Sequence, residues 1–296
     1  MPADYYIRPM RPDDVAAVER LTAEGFYDID VRTRRPGWPE PTMRADAKAD
    51  SWRRRMHHLL THDPGGCWVA DDDTGVIGVA VALKRDLTWI LATFVVRPGL
   101  QGRGVGKQLL DAALSYGDGC LRGMLAASED PRAARRYRLA DFTLHPTMFC
   151  RGRVARDLLP VVERVRDGSS SDIDLINSVD RQVRDAAHGV DHELLSTTHQ
   201  LVVVERSTGS GYAYVEPGGG PYLLAATNRR TATDLLWETL AASSPDEPCT
   251  IGHISAPNEW AIDVGMAARL ELHTSGYLGL RGMKPPMPYL PSGHFL

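Results

Sequence analysis

The stretch that decides the fold runs from Trp89 to Lys107 and reads WILATFVVRPGLQGRGVGK. Its first half is apolar and rich in β-branched residues, which is typical of a strand covered on both faces. Pro98 ends this strand, and three glycines follow between residues 102 and 106. The helix predicted next, residues 106–116, directs its unpaired main-chain N–H groups toward the glycine turn. The stretch therefore predicts a strand, a phosphate-binding turn and a helix in succession.

The spacing of the glycines excludes two familiar phosphate-binding loops. A GxxxxGK[ST] loop, typical of nucleoside triphosphatases, is absent because Lys107 is followed by Gln108 and the preceding glycines are too close together. The GxGxxG order of dinucleotide-binding folds is also absent. The expected ligand is thus a phosphate or pyrophosphate group that is held by a loop of a different type.

The same segment resembles motif A of the GCN5-related N-acetyltransferases, the GNAT superfamily. That motif reads Gln/Arg-x-x-Gly-x-Gly/Ala after a V-x-P strand exit, which stands here as Val96-Arg97-Pro98 followed by Gln101 to Gly106. The resemblance implies that the turn holds the pyrophosphate of acetyl-CoA and that main-chain groups of the strand bind its pantetheine arm. The cofactor-binding residues implied in this way are Phe94, Val95, Val96, Gln101, Gly102, Arg103, Gly104, Val105, Gly106 and Lys107.

A second family motif, roughly N-P-x-A-x-x-x-Y-x-x-x-G-F, lies downstream. Pro131, Tyr137 and Phe142 are in its register, whereas Asp130 stands in place of Asn and Asp141 in place of Gly. The resemblance implies that Tyr137 lies near the thioester sulfur. A phenol has an ordinary pKa near ~10, so it could donate its proton to a departing thiolate as general acid. The alternative for Tyr137 is a residue that only packs in the core.

The general base is less well defined by the sequence. Many family members have a Glu on the central strand, and Thr93 occupies that position here. Glu24 and Asp28 are the first candidates because they lie beside the expected acceptor pocket. Ordered water, a histidine or a free carboxylate at Leu296 are alternatives. Residues 28–50, rich in proline and arginine, are predicted to be a substrate-side loop or a mobile surface loop.

Composition is that of an ordinary soluble globular protein of two domains: 296 residues, 43% hydrophobic and 24% charged. No segment approaches the ~20 apolar residues of a membrane span, which predicts a cytoplasmic protein without membrane contact. The four cysteines are far apart and form no CxxC, so we expect reduced, mostly buried thiols and neither disulfides nor a metal site.

Charge is distributed unevenly along the chain. Residues 1–153 contain 23 basic and 20 acidic side chains, and the remainder contains 11 basic and 18 acidic side chains. A positive first half suits a polyanionic cofactor. A negative second half would favour a cationic acceptor, or it is simply a solvated surface. Neither half is basic enough to indicate nucleic-acid binding.

The fold class predicted for the chain is α/β (α+β), with two GNAT folds in tandem, each a mixed, mostly antiparallel sheet flanked by helices. Residues 1–153 form the first domain, 154–170 a linker, and 171–296 a degenerate second domain. The second half repeats the element order of the first, with strands at 201–205, 211–216, 222–226 and 250–255 and helices at 231–242 and 258–272. Its loop at 227–230 lacks glycines, so it should not bind CoA in the usual way.

Three further features of the second half lead to expectations. Asp180-Arg181 with Asp191 to Leu195 faintly matches a D-R…D-R-x-x-L-L pattern of one tandem group, with His192 where Arg is usual. His188 and His192 are four residues apart without the Glu of HExxH, which predicts a helix surface and no metal. The proline-rich segment 285–296 is expected to form neither helix nor strand.

These observations together predict an enzyme that transfers the acetyl group of acetyl-CoA to a primary amine of a small-molecule acceptor by direct attack. The alternative is a non-catalytic acyl-CoA-binding or regulatory protein, which Thr93 favours. A phosphate-binding scaffold unrelated to CoA is a third interpretation. The sequence leaves a monomer and a homodimer equally open.

Overall fold

The computed structural model describes residues 5–35 and 38–296. The first part of the chain alternates short strands with helices, as a mixed α/β protein should. Its elements are β1 (Tyr6–Pro9), α1 (Val15–Thr33), α2 (Asp46–His62), β2 (Cys67–Asp72), β3 (Gly75–Arg85), β4 (Thr88–Val96), α3 (Val105–Ser115), β5 (Arg122–Ala127), α4 (Pro131–Arg138) and β6 (Thr143–Gly152).

The second part repeats this alternation. Its elements are β7 (Arg166–Asp167), α5 (Ile173–Arg184), α6 (Asp191–Thr198), β8 (Gln200–Arg206), β9 (Gly209–Val215), β10 (Pro221–Ala226), α7 (Arg229–Ala241), β11 (Cys249–Ser255), α8 (Trp260–Ala267), β12 (Glu271–Arg281) and β13 (Tyr289–Leu290). The predicted mixed α/β class and the tandem repetition of elements are confirmed.

The chain forms two compact units. The first contains residues up to Lys84, Trp89–Cys120 and Glu129–Arg136, and the second contains Arg85–Thr88, Leu121–Ser128 and Tyr137–Leu296. In the first unit the strands lie in the order β1-β2-β3-β4, with β1–β2 and β2–β3 antiparallel. The strands β3 and β4 are buried along nearly their whole length, as their continuous apolar runs predict.

The second unit contains two sets of paired strands. One set has the order β5-β12-β6-β11, and the other has the order β13-β10-β9-β8-β7. Helix α7 packs on this second set and shares one apolar core with α8. Members of that core include Val204, Leu224, Leu235, Ile251 and Trp260.

Strand β12 corrects the sequence prediction, which extended a helix from 258 to 272 and predicted no strand beyond it. Helix α8 ends at Ala267, and β12 then pairs antiparallel with β5 on one side and with β6 on the other. A Cβ at Gly276 would lie 1.8 Å from the carbonyl oxygen of Ala127, so only glycine fits there. Glycines weaken a strand signal in a sequence, and the partners that stabilise β12 are far away along the chain.

Two smaller predictions also differ from the structure. Part of the proline-rich tail does form a strand, because Tyr289 and Leu290 pair with Ala225 and Leu224 of β10. The loop predicted at residues 28–50 is shorter in the structure, because α1 continues to Thr33 and α2 already begins at Asp46. Ion pairs stabilise both helices near these ends, Arg32 with Asp28 in α1 and Arg53 with Asp50 in α2. Apolar periodicity in the sequence does not reveal such pairs.

The two compact units are not separated by a single boundary in the sequence, because each contains three separate segments of the chain. Strands β5 and β6 precede residue 153, yet β12 pairs with both of them within the second unit. The boundaries 1–153, 154–170 and 171–296 therefore stay a prediction about the two repeated folds. Among the described residues, no helix has the length and apolar character needed to cross a membrane.

The cysteines behave as the sequence predicts. Cys67, Cys150 and Cys249 are buried free thiols, and Cys120 is half-buried. Burial raises the pKa of Cys67 to about 12 and the pKa values of Cys150 and Cys249 to about 11. Thiols with such pKa values remain protonated at neutral pH and are poor nucleophiles.

Candidate functional site

The glycine turn after β4 lies where the sequence predicts an anion-binding turn. Gly102 and Gly104 have φ angles of +84° and +96°, a left-handed conformation that favours glycine. Gly104 is the residue that starts α3, and the N–H groups of Lys107 and Gln108 donate to its carbonyl oxygen. Apart from Gly102 and its two chain neighbours, no atom of the described residues lies within 4 Å of where a Cβ on Gly102 would be, so these residues leave open space beside the main chain of the turn.

Gln101 shapes this turn from within. Its side-chain amide donates from Nε2 to the carbonyl oxygen of Val96 at 3.0 Å, and its Oε1 accepts from the N–H of Gly99 at 2.9 Å. Both ends of the side chain are thus bonded to the main chain of the loop. The predicted contact between Gln101 and a cofactor stays a prediction, and the structure assigns its side chain to holding the loop.

The cationic side chains of the predicted loop face solvent. Arg103 and Lys107 are exposed, and Lys107 forms an ion pair with Asp111 one helical turn later. Val105 is buried and belongs to the apolar face by which α3 packs in its unit. A Cβ at Gly106 would lie 3.3 Å from Cζ of Phe94 and 3.4 Å from Cγ2 of Val96, so this glycine lets α3 approach β4 closely.

Strand β4 contributes the residues predicted to bind pantetheine. Phe94 and Val96 are half-buried, whereas Val95 is buried. Val95 lies against α1, because a Cβ on Gly25 would be only 2.5 Å from its Cγ1. Thr93 is buried as well. This part of β4 therefore carries no ionisable side chain.

Asp130 organises the start of α4. Its carboxylate accepts from the main-chain N–H of Arg132 at 2.8 Å and from the guanidinium groups of Arg132 and Arg32. Hydrogen bonds from Arg132 lower the pKa of the Asp130 carboxyl well below its usual range, although burial opposes this. An Asn at this position could cap the helix but could not balance two arginines.

Tyr137 and Asp141 lie at the end of α4. Tyr137 is buried, with 4% of its surface exposed, and its carbonyl oxygen accepts from the N–H groups of Ala140 and Phe142. Asp141 has a φ of +64°, which is the left-handed conformation that the Gly of the family motif would adopt. Asp is one of the few residues that tolerate this conformation, so the turn forms in spite of the substitution.

The two predicted bases lie on α1 in different environments. Glu24 is exposed, whereas Asp28 is half-buried and paired with Arg32 at 2.9 Å. Arg32 also reaches Asp130 at 3.2 Å, so it joins the end of α1 to the start of α4. A further carboxylate on α1, Asp30, was not among the sequence candidates. Partial burial raises its pKa, and an i+4 spacing from Phe26 is the sequence signal that could have indicated it.

A family model supports the resemblance seen in these motifs. Residues 23–152 match the model described as the acetyltransferase (GNAT) family. This segment is similar to the GNAT family, and it spans less than half of the chain. The GNAT segment contains α1, the whole stretch from β4 to α3, and α4 with Tyr137. No curated protein matches the sequence.

Solved structures extend the GNAT likeness to nearly the whole chain. A candidate acetyltransferase from Pyrococcus horikoshii is similar with a TM-score of 0.71 and 18% identity, covering 95% of this chain and 90% of that one. A GCN5-related N-acetyltransferase from Kribbella flavida has a TM-score of 0.59 and 17% identity, with 95% and 71% covered. A tandem GNAT protein from the clavulanic acid biosynthesis pathway has a TM-score of 0.55 and 13% identity, with 94% and 98% covered. These likenesses show a tandem GNAT fold.

The second half contains a buried polar network at a place where the sequence predicted an exposed helix surface. His188 and His192, predicted on a helix surface, have no exposed surface and surround the equally buried Asp180. The carboxylate of Asp180 accepts from His188 Nδ1 at 2.8 Å, from His192 Nε2 at 3.1 Å and from the Tyr212 hydroxyl at 2.6 Å. Burial alone would raise the pKa of Asp180, but the hydrogen bonds from His188 and His192 lower it.

Neighbouring groups extend the network at both ends. Arg184, also fully buried, donates from Nη1 to Nε2 of His188 at 2.7 Å, while its Nε and Nη2 have no hydrogen-bond partner among the described residues. At the other end His192 Nδ1 lies 3.1 Å from the hydroxyl of Tyr214, which lies 3.3 Å from the hydroxyl of Ser196. A buried cation and a buried anion are therefore joined through neutral groups.

The cluster offers three ligand atoms to a metal ion, since atoms of Asp180, His188 and His192 lie within 4.8 Å of one another. The hydrogen-bond directions do not suit such an ion. Because a guanidinium has only donors, Nε2 of His188 must accept from Arg184, and the ring proton is then on Nδ1. A metal-binding histidine instead donates from its outer nitrogen to an acceptor. The geometry fits a hydrogen-bonded network centred on an ionised carboxylate.

Proposed function

We propose that the protein transfers the acetyl group of acetyl-CoA to a primary amine of a small molecule by direct attack. The observation that carries the proposal is the turn of Gly102 and Gly104. It joins β4 to the first turn of α3 inside the segment that matches the GNAT family model. Open space beside Gly102 and the exposed cations Arg103 and Lys107 fit a diphosphate.

The residues of the chain divide the proposed work between them. Main-chain N–H groups of the turn and of the start of α3, within residues 101–107, hold the diphosphate. Main-chain groups of Phe94, Val95 and Val96 align the pantetheine arm and polarise the thioester carbonyl. This alignment brings a bound amine and the thioester into attacking distance without a covalent enzyme intermediate.

Two proton transfers complete the proposed reaction. The amine attacks the carbonyl carbon, the carbon–sulfur bond breaks, and Tyr137 donates its hydroxyl proton to the departing thiolate. The ammonium formed during attack loses a proton to a carboxylate or through water. Glu24 and Asp28 are the proposed bases. The exposed Glu24 is free to contact a substrate, whereas Asp28 is already paired with Arg32.

A screen for thiol release tests the proposal directly. Purified protein with acetyl-CoA and a library of primary amines should release free CoA, and mass spectrometry should find the matching acetylated amine. Calorimetry on the same protein should show acetyl-CoA binding. Absence of binding would remove every CoA-based interpretation. Location in the cytoplasm and a monomeric or homodimeric state stay predictions.

The alternative function is a non-catalytic acyl-CoA-binding or regulatory protein. The buried Thr93 favours it, because the central strand then has no carboxylate at the position of the usual family base. Under this alternative acetyl-CoA binds, but no amine in the library gives thiol release. The same two measurements therefore separate the two functions.

A further inference from the structure

The face of α1 that is buried at its start becomes exposed near its end. Side chains four residues apart form one row along a helix. In one row Val18 and Thr22 are fully buried, whereas Phe26 is 40% exposed. In the neighbouring row Ala23 is buried, whereas Tyr27 is 37% exposed. Two aromatic side chains thus point in the direction that is buried one turn earlier.

Gly25 marks the place where this cover ends. It is buried, and a Cβ there would lie 2.5 Å from Cγ1 of Val95, so α1 lies directly on β4 at this residue. Val95 belongs to the strand proposed to hold the thioester arm. Phe26 and Tyr27 are therefore the first exposed aromatic residues beyond the contact of α1 with that strand. This step, and the inference built on it, rests on the proposed function.

A carboxylate lies between the two aromatic residues around the helix. At 100° per residue, Asp30 is about 40° from Phe26 and about 60° from Tyr27. Asp30 is an exposed residue, and partial burial of its carboxyl raises the pKa of that group. The cation on the next turn, Arg32, is paired with Asp28 at 2.9 Å and Asp130 at 3.2 Å. Among the described residues no cation pairs with Asp30.

We propose that Phe26, Tyr27 and Asp30 bind the acceptor, and that the acceptor is a primary amine attached to an apolar, aromatic body. The carboxylate of Asp30 binds the ammonium group, and the two rings contact the apolar body. Charge complementarity supports this occupant, since Glu24, Asp28 and Asp30 are concentrated on two turns of α1. An amino acid whose own carboxylate adjoins its amine is repelled by Asp30.

Three primary amines test the inference. Thiol release with acetyl-CoA is measured for 2-phenylethylamine, for n-butylamine, which lacks the ring, and for phenylalanine, which adds a carboxylate. We expect kcat/KM for 2-phenylethylamine to exceed both other values at least tenfold. In Phe26→Ala the preference over n-butylamine should fall at least fivefold.

Asp30→Asn should raise KM for 2-phenylethylamine at least tenfold with a much smaller change in kcat, because the lost contact binds the amine equally in the ground state and the transition state. Asp118→Asn is the matched control, since Asp118 is an exposed carboxylate in the turn after α3. It should leave KM unchanged. Calorimetry should give the same acetyl-CoA affinity for all variants, which shows that the cofactor site is intact.

The outcomes separate this inference from the proposed function. Preference for n-butylamine or phenylalanine, or an unchanged KM in Asp30→Asn, overturns the acceptor assignment while acetyl transfer stands. If no amine is acetylated and acetyl-CoA does not bind, the proposed function fails. In that case calorimetry with 2-phenylethylamine tests the acceptor site by itself. The acceptor assignment is overturned if the amine does not bind, or if it binds equally well to the Asp30→Asn variant.

Discussion

The guanidinium of Arg184 donates from Nη1 to Nε2 of His188 over 2.7 Å, in a part of the protein with no solvent exposure. Because Arg184 can only donate, His188 is neutral and its proton is on Nδ1, where it bonds to Asp180 at 2.8 Å. This single contact fixes the direction of the neighbouring hydrogen bonds. It also makes the second half of the chain sensitive to acid.

Acidification should destabilise the protein in the range between pH 6.5 and pH 4. Burial and the charge of Arg184 lower the pKa of His188 from 6.5 to about 4. The unfolded state therefore binds more protons than the folded state in this range, and stability falls as the pH falls. We expect the free energy of unfolding to drop by about 2 kcal/mol from pH 7 to pH 4.5 on account of His188. Urea titrations at several pH values measure it.

The variants for this measurement are His188→Gln and His57→Gln. His188→Gln should be less stable at pH 7 but should show a flatter dependence on pH, since the buried titrating group is gone. His57 is exposed on α2, so its variant should follow the unmodified protein. Equal pH dependence in His188→Gln would contradict the assignment.

Removing the charge of Asp180 should be among the most damaging substitutions in the second half. Asp180→Asn leaves the buried guanidinium of Arg184 without a nearby counter-charge and replaces one acceptor oxygen by a donor. Breaking a buried charge pair typically costs about 3–5 kcal/mol. Urea unfolding measures the loss, and Asp174→Asn, an exposed position on the same helix α5, should change stability by less than about 0.5 kcal/mol.

A negative charge in the glycine turn should abolish cofactor binding. Gly104→Asp keeps a residue that tolerates positive φ, as Asp86, Asp141 and Asp185 do in this chain, but its carboxylate repels a diphosphate. We expect acetyl-CoA affinity to fall at least a hundredfold by calorimetry. Gly119→Asp is the control, because Gly119 has a similar φ of +85° in the turn after α3. Similar affinities in the two variants would argue against a diphosphate at this turn.

Loss of the Tyr137 hydroxyl should slow the chemical step and not cofactor binding. General acid catalysis contributes about 10²- to 10⁴-fold, so Tyr137→Phe should lower kcat about a hundredfold with KM for acetyl-CoA nearly unchanged. Tyr116→Phe removes a hydroxyl that donates to Asp63 at 3.0 Å and serves as a structural control with unchanged kcat. Full activity of Tyr137→Phe would leave Tyr137 as a core residue only.

Local sequence signals predicted the central part of the fold well. The strand predicted at 89–96 is β4, and the helix predicted at 106–116 is α3, within one residue at each end. A run of β-branched residues, a proline stop and closely spaced glycines each act over a few residues. Such signals need no knowledge of the partner strands.

Features that depend on distant partners could not be predicted in this way. The burial of His188 and His192 depends on Asp180, Arg184 and Tyr212, and a polar residue in a sequence does not show whether such partners exist. The same limit applies to Asp30, since its environment results from where α1 leaves β4. The sequence gives the types of these residues, but it does not predict which side chains surround them.

The position of β12 constrains how the protein is made. Residues 271–281 separate β5 from β6, so these two early strands have no common partner until the ribosome has released the chain beyond Arg281. Until then the edges of β5 and β6 that β12 later covers are open to pairing with other chains. Synthesis of the GNAT segment therefore finishes well before its sheet can close.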